Sequence, residues 1–163
     1  MSADSGNNLA VQRELGAGRG NGWLAPRIER CQSGGDVGVD PAVPHFKKLL
    51  VWEKSHALMV NTHRVAKGIR RRYDASVRSQ MTRAAESIAT NIVEGRGKSS
   101  DAEFVRFLRI ALGSAYELEY HLIAARDIGA INDSDSSALI SQVVEVRRMV
   151  YGLIRRLMDD PDG

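Results

Sequence analysis

The chain predicts an all-α fold: an antiparallel up-down-up-down four-helix bundle carrying a disordered Gly-rich N-terminal tail. Three observations predict it. Apolar residues recur at 3-4 spacing through four segments after Phe46. Short polar or Gly-containing connections separate those segments, which favours antiparallel neighbours. No strand pattern competes with them. The domain division is 1–44 for the tail and 45–160 for the bundle.

The tail holds eight of the 15 glycines and three of the four prolines, Pro26, Pro41 and Pro44. GAGRGNG at 16–22 resembles a phosphate-binding loop only superficially. No strand precedes it, and Pro26 follows where a helix should. A natural start downstream of Met1 would leave this segment untranslated, and that alternative stays open.

Helix 1 is expected over Lys48–Lys67, with Leu49, Trp52, His56, Met59 and His63 along its inner side. His56 is expected as a partly buried ring hydrogen-bonded to a neighbour. Ser76 is expected to cap helix 2, whose stripe is Val77, Met81, Ala84, Ala85, Ile88 and Ile92, and Gly95 and Gly97 to stop it. Ser100 with Glu103 reads as a capping box for helix 3, about Asp101–Ile128. Its stripe runs Phe104, Phe107, Leu108, Ala111, Ala115, Leu118, Leu122 and Ala125, and Gly129 ends it. Asp133 or Ser134 begins helix 4, with Leu139, Val143, Val146, Val150, Leu153 and Leu157 inward, ending near Asp160–Pro161.

Composition excludes several classes. One cysteine, Cys31, allows no disulfide within the chain and fits a reducing compartment. No run approaches the ~20 apolar residues of a membrane span, and no signal peptide is visible. The expected location is cytoplasmic. The net charge is +3, with the excess after residue 44. No cofactor and no metal are expected: Glu53-Lys54-Ser55-His56 has the spacing of a di-iron ligand pair, but no second copy exists. No catalytic residues are assigned. Cys31 lacks a fixed base, and Ser87 and Ser114 sit mid-helix, away from any nucleophile turn. The chain reads as non-enzymatic.

Two constellations stand out. Gln80, Arg83, Ser87, Asn91 and Glu94 form a polar row beside the helix 2 stripe, and Ser114, Glu117 and His121 form a matching row on helix 3. An Arg83–Glu117 pair between the helices is expected, with Ser87 and Asn91 adding hydrogen bonds in a network that fixes register; a solvated helix face and a functional pocket are the alternatives. Arg70, Arg71 and Arg72 crowd the connection between helices 1 and 2, beside Arg78. Arg147, Arg148, Arg155 and Arg156 lie on helix 4, with i to i+8 spacing bringing the two pairs roughly to one side. These seven arginines, 70–72 with the four of helix 4, are the candidate contacts to an RNA or DNA backbone, with an ordinary solvated face as the alternative. The aromatics are few and mostly in core stripes, so stacking of bases on them is not expected.

The residues Phe46–Leu50 with Val51-Trp52 begin a longer resemblance. They are followed by Gln80-x-x-Arg83-Ala84-Ala85-x-Ser87-Ile88-x-x-Asn91-Ile92-Val93-Glu94-Gly95 and Glu103-Phe104-x-x-Phe107-Leu108-x-Ile110-Ala111-x-Gly113-Ser114-x-x-Glu117-Leu118-Glu119. Together these segments closely resemble the four-helix bundle protein family, also called the 23S ribosomal RNA intervening-sequence protein family. The departures are Met81-Thr82 for a usual Leu-Arg and Val93 for a common Ala. The resemblance covers about 45–158. It implies a homo-oligomer, with a ring of five as the pattern. It also implies kinship with accessory subunits of diversity-generating retroelements, which bind nucleic acid and a reverse transcriptase through a basic pentameric surface. It supplies no catalytic residues. Two functions therefore remain open: a homo-oligomer holding RNA or DNA by its backbone, and a protein-protein interaction scaffold without nucleic acid.

Overall fold

The computed structural model describes residues 45–69 and 75–159. The tail, Cys31 and Arg70–Arg72 therefore lie outside the described residues. A 3-10 turn at His45–Lys48 leads into α1 (Leu50–Gly68), followed by α2 (Ala75–Arg96), α3 (Asp101–Asp127) and α4 (Asp133–Asp159). Among the described residues there is no strand, and no helix is long and apolar enough to cross a membrane. Each helix packs on two others, α1 and α3 both contacting α2 and α4, and the α2–α3 seam is the most extensive.

Local chemistry sets the boundaries. The Ser100 hydroxyl accepts the Glu103 amide at 3.3 Å and caps α3. Gly129 ends it with φ +71°, a backbone region that favours glycine. The Gly129 amide donates to the Arg126 carbonyl and the Ala130 amide to the Ala125 carbonyl, each at 2.8 Å, the paired bonds of a Schellman ending. Asn132 opens α4, its side-chain oxygen accepting the Asp135 amide at 2.8 Å. α2 already runs at Ala75, so Ser76 lies within its first turn instead of capping it. Gly95 does not stop α2. The helix continues to Arg96, and Gly95 is buried where α2 meets α3. A Cβ there would stand 2.7 Å from the Phe107 Cβ and 2.8 Å from the Phe104 ring, so only glycine lets the helices come this close.

One apolar cluster fills the centre, with Leu58, Met81, Ile88, Ile92, Leu108, Leu118, Leu122, Leu139 and Val143 fully buried. Burying each such side chain contributes about 1.5–3 kcal/mol before entropy is charged against it. The stripes of α2, α3 and α4 face this cluster largely as their spacing predicts.

The inner face of α1 does not. Val51, Ser55, Leu58, Asn61, Thr62 and Ala66 are the buried positions. The predicted stripe is thus turned aside by about one residue, roughly 100° of helix. Polar residues hide the true face, because their bonds are satisfied locally. Ser55 donates to the Trp52 carbonyl at 2.9 Å, and Thr62 to the Leu58 carbonyl at 2.8 Å. The Asn61 amide nitrogen donates to Gln142 at 3.0 Å, and its oxygen accepts from Arg64 at 3.1 Å. His56 is exposed instead of partly buried, its ring stacked on Trp52 with centroids 5.3 Å apart.

Candidate functional site

The polar rows of α2 and α3 meet along the outside of their seam. The Ser87 and Ser114 hydroxyls lie 2.8 Å apart. The Asn91 amide donates to the Ser87 carbonyl at 2.8 Å and to its hydroxyl at 3.1 Å, and Ser114 donates to the Ile110 carbonyl at 3.1 Å. These three side chains form a bonded floor. Gln80, Arg83, Glu86 and Glu117 rise beside it around an open groove of about 350 Å³.

The expected Arg83–Glu117 pair does not form among the described residues. Arg83 is exposed, and Glu117 stands 3.7 Å from His121 one turn along its own helix. Both line the same groove. The pair assumed a buried site that would force the charges together, and both side chains instead reach water. Glu94, at the end of the row, is exposed and lies 3.5 Å from Lys98.

The helix 4 arginines divide. Arg147 turns toward α3, forms an ion pair with Glu119 and lies over the Tyr116 ring, 4.5 Å from its centroid. Its charge is neutralised locally. Arg148, Arg155 and Arg156 are exposed and have no carboxylate partner among the described residues. Arg148 and Arg155 flank Tyr151 at i−3 and i+4, in one outward row. α3 adds Arg106 and Arg109, both exposed. The Arg109 guanidinium lies 3.8 Å from the Met158 sulfur, which ties its position to the α4 end of this face.

The outer face of α3 and α4 also carries a feature absent from the sequence reading. Tyr116, Tyr120 and Tyr151 are 49%, 66% and 47% exposed, and they are the exposed Phe, Trp or Tyr side chains among the described residues. The Tyr116 and Tyr151 hydroxyls lie 3.2 Å apart across the two helices. That hydrogen bond, more than any other cause, pushes the Tyr151 hydroxyl above the ordinary phenol range, so the Tyr151 ring is neutral at pH 7. The i, i+4 spacing of Tyr116 and Tyr120, beside the α3 stripe and not in it, was the available signal. Among the described residues, no three His, Cys, Asp or Glu side chains gather closely enough to hold a metal.

Comparison with known proteins follows the same outline. The model of the family described as 23S rRNA-intervening sequence protein matches residues 47–152. No curated protein matches the chain significantly. Among solved structures, the chain is similar to a protein of unknown function from the S23 ribosomal protein family of Bacteroides thetaiotaomicron. The two are 25% identical, with a TM-score of 0.62, covering 65% of this chain and 99% of that one.

Proposed function

We propose that this chain, which belongs to the 23S rRNA-intervening sequence protein family, is a non-enzymatic homo-oligomer that holds RNA or DNA by its phosphate backbone. Its helices run up-down-up-down in this reading. Positions that advance along α1 recede along α4, since Lys54 meets Glu145 at 2.7 Å and the later Asn61 bonds the earlier Gln142 at 3.0 Å, and the short connections support the same arrangement. The family pattern supports a ring of five, in which each basic surface recurs and the fields add.

One observation carries the nucleic-acid reading: Arg148, Arg155 and Arg156 stand exposed along α4 without a carboxylate partner among the described residues, with Arg106 and Arg109 exposed on α3. Each phosphate contact releases condensed counterions, so affinity must fall steeply with salt. Size-exclusion chromatography with light scattering, on the chain alone and with a short RNA duplex at low and high salt, tests both halves. An oligomer that binds at low salt and releases at high salt supports the proposal; a monomer, or a species indifferent to RNA at low salt, sinks it.

A second reading, a protein-interaction scaffold, is favoured by the α2–α3 groove. Glu86 and Glu117 line it with Arg83, a mixed set that repels a phosphate chain and suits a polypeptide surface. An oligomer that ignores RNA at every salt concentration would move the assignment there.

A further inference from the structure

We infer, building on the nucleic-acid reading above, that the outward face shared by α3 and α4 is a stacking platform for single-stranded nucleic acid, which grips bases as well as phosphates. The rings come first. Tyr120 stands 66% exposed on α3, Tyr116 one turn before it, and Tyr151 reaches in from α4 with its hydroxyl 3.2 Å from that of Tyr116. Tyr116 is held in orientation by Arg147, which Glu119 in turn holds. A half-exposed ring fixed in this way presents a flat π surface at little ordering cost, and every base has a π face to lay against it.

Bare backbone lies along the same face. Gly113 precedes Tyr116 by three residues, and Gly152 lies one turn from Arg148 and one turn from Arg155. Both sit inside helices, where glycine is the poorest residue short of proline. A Cβ at either position would meet nothing within 4 Å, so packing inside the chain does not require glycine there. An approaching flat group would make use of the missing side chain.

Charge completes the match. Arg148 and Arg155 bracket Tyr151 along α4, and Arg109 continues the row on α3. The nearby carboxylate of Glu119 is already engaged by Arg147. Pairing this face with itself in a second copy would set arginine against arginine, whereas a polyanion is complementary along the row. From Arg109 to Tyr120 the helix rises about 16 Å, room for roughly five stacked nucleotides at ~3.4 Å each. A duplex keeps its bases stacked internally and cannot offer them to the rings, so the preferred strand is single.

The test is fluorescence anisotropy on the full chain with roughly 12-nucleotide oligo-U and oligo-dT, and with an RNA duplex, across a salt series. Tyr120 is the informative position, because its ring is 66% exposed and packs edge-to-face with His121 at a centroid distance of 5.2 Å, outside the core. Tyr120→Ala is expected to weaken single-strand binding by roughly 5- to 150-fold, with the duplex affinity, the salt slope and the melting temperature unchanged. Tyr120→Phe keeps the ring and is expected to bind within about twofold of the parent chain. Arg148→Ala should instead lower affinity for all strands and reduce the salt slope by about one. Parent-level binding of single strands by Tyr120→Ala overturns the platform, as does a fall in oligomer mass in that variant, which would assign the face to a second copy. A parent chain that binds duplex but not single strands overturns this inference alone; binding of neither removes the nucleic-acid reading as well.

Discussion

Gly95 and Gly113 are both helical glycines, yet they occupy opposite surroundings. Gly95 lies in the α2–α3 seam, where Phe104 and Phe107 leave no room for a Cβ. Gly113 lies on the outward side of α3, with nothing within 4 Å of where a Cβ would sit. The first glycine is explained by the fold. The second is not, and neither is Gly152 on α4. The polar side chains divide in the same way. Ser87, Asn91 and Ser114 bond one another along the seam, while Arg148 and Arg155 face solvent. One side of α3 is committed to the chain's own packing, and the other exposes rings, bare backbone and positive charge.

The contrast can be broken by substitution, beginning where the effect is largest. Leu118 is fully buried on the inner side of α3. Leu118→Ala is expected to cost about 2–5 kcal/mol, read as a drop in the urea midpoint. Gly95→Ala comes next: the added methyl must push Phe104 and Phe107 apart, at about 1–3 kcal/mol in the same assay. Gly113→Ala and Gly152→Ala have the opposite sign. Each is expected to raise stability by about 0.5–1 kcal/mol, since alanine fits and favours the helix. The same two variants should weaken oligonucleotide binding, so gained stability with lost binding is the signature of an outward face kept bare for a ligand. Smallest is Arg83→Ala. An exposed side chain without a partner among the described residues should shift stability by no more than about 0.5 kcal/mol, measured by thermal melting. A loss of several kcal/mol there would revive the buried pair with Glu117.

The helix boundaries were legible because caps are local. Ser100 with Glu103 and Gly129 each act within a turn of their own position, and sequence shows them directly. The inner face of α1 was not legible. Ser55 and Thr62 bond their own helix and can be buried, so an apolar stripe misplaces the core by about one residue. Gly95 read as a helix stop because sequence shows a missing side chain without showing the neighbour that excludes it.

Among the candidate site residues, Ser87, Asn91 and Ser114 come together as their spacing suggested, while Arg83 and Glu117 share a groove without pairing. Which arginines stay available depends on azimuth across helices. Arg147 and Arg148 are adjacent in sequence, yet one closes on Glu119 and the other faces water. The tyrosines escaped notice for a related reason. Tyr116 adjoins the core position Ala115 and Tyr120 lies two residues from Leu118 and Leu122; their spacing sets them off the stripe, and packing shows how far their rings are exposed.

Amide chemical-shift perturbation on adding oligo-U tests the central claim most directly, since it reads both sides of α3 at once. The account predicts shifts concentrated at Gly113, Tyr120, Arg148 and Gly152, with Arg83 and Asn91 unmoved. Shifts confined to the α2–α3 groove, with the tyrosine face silent, would contradict it.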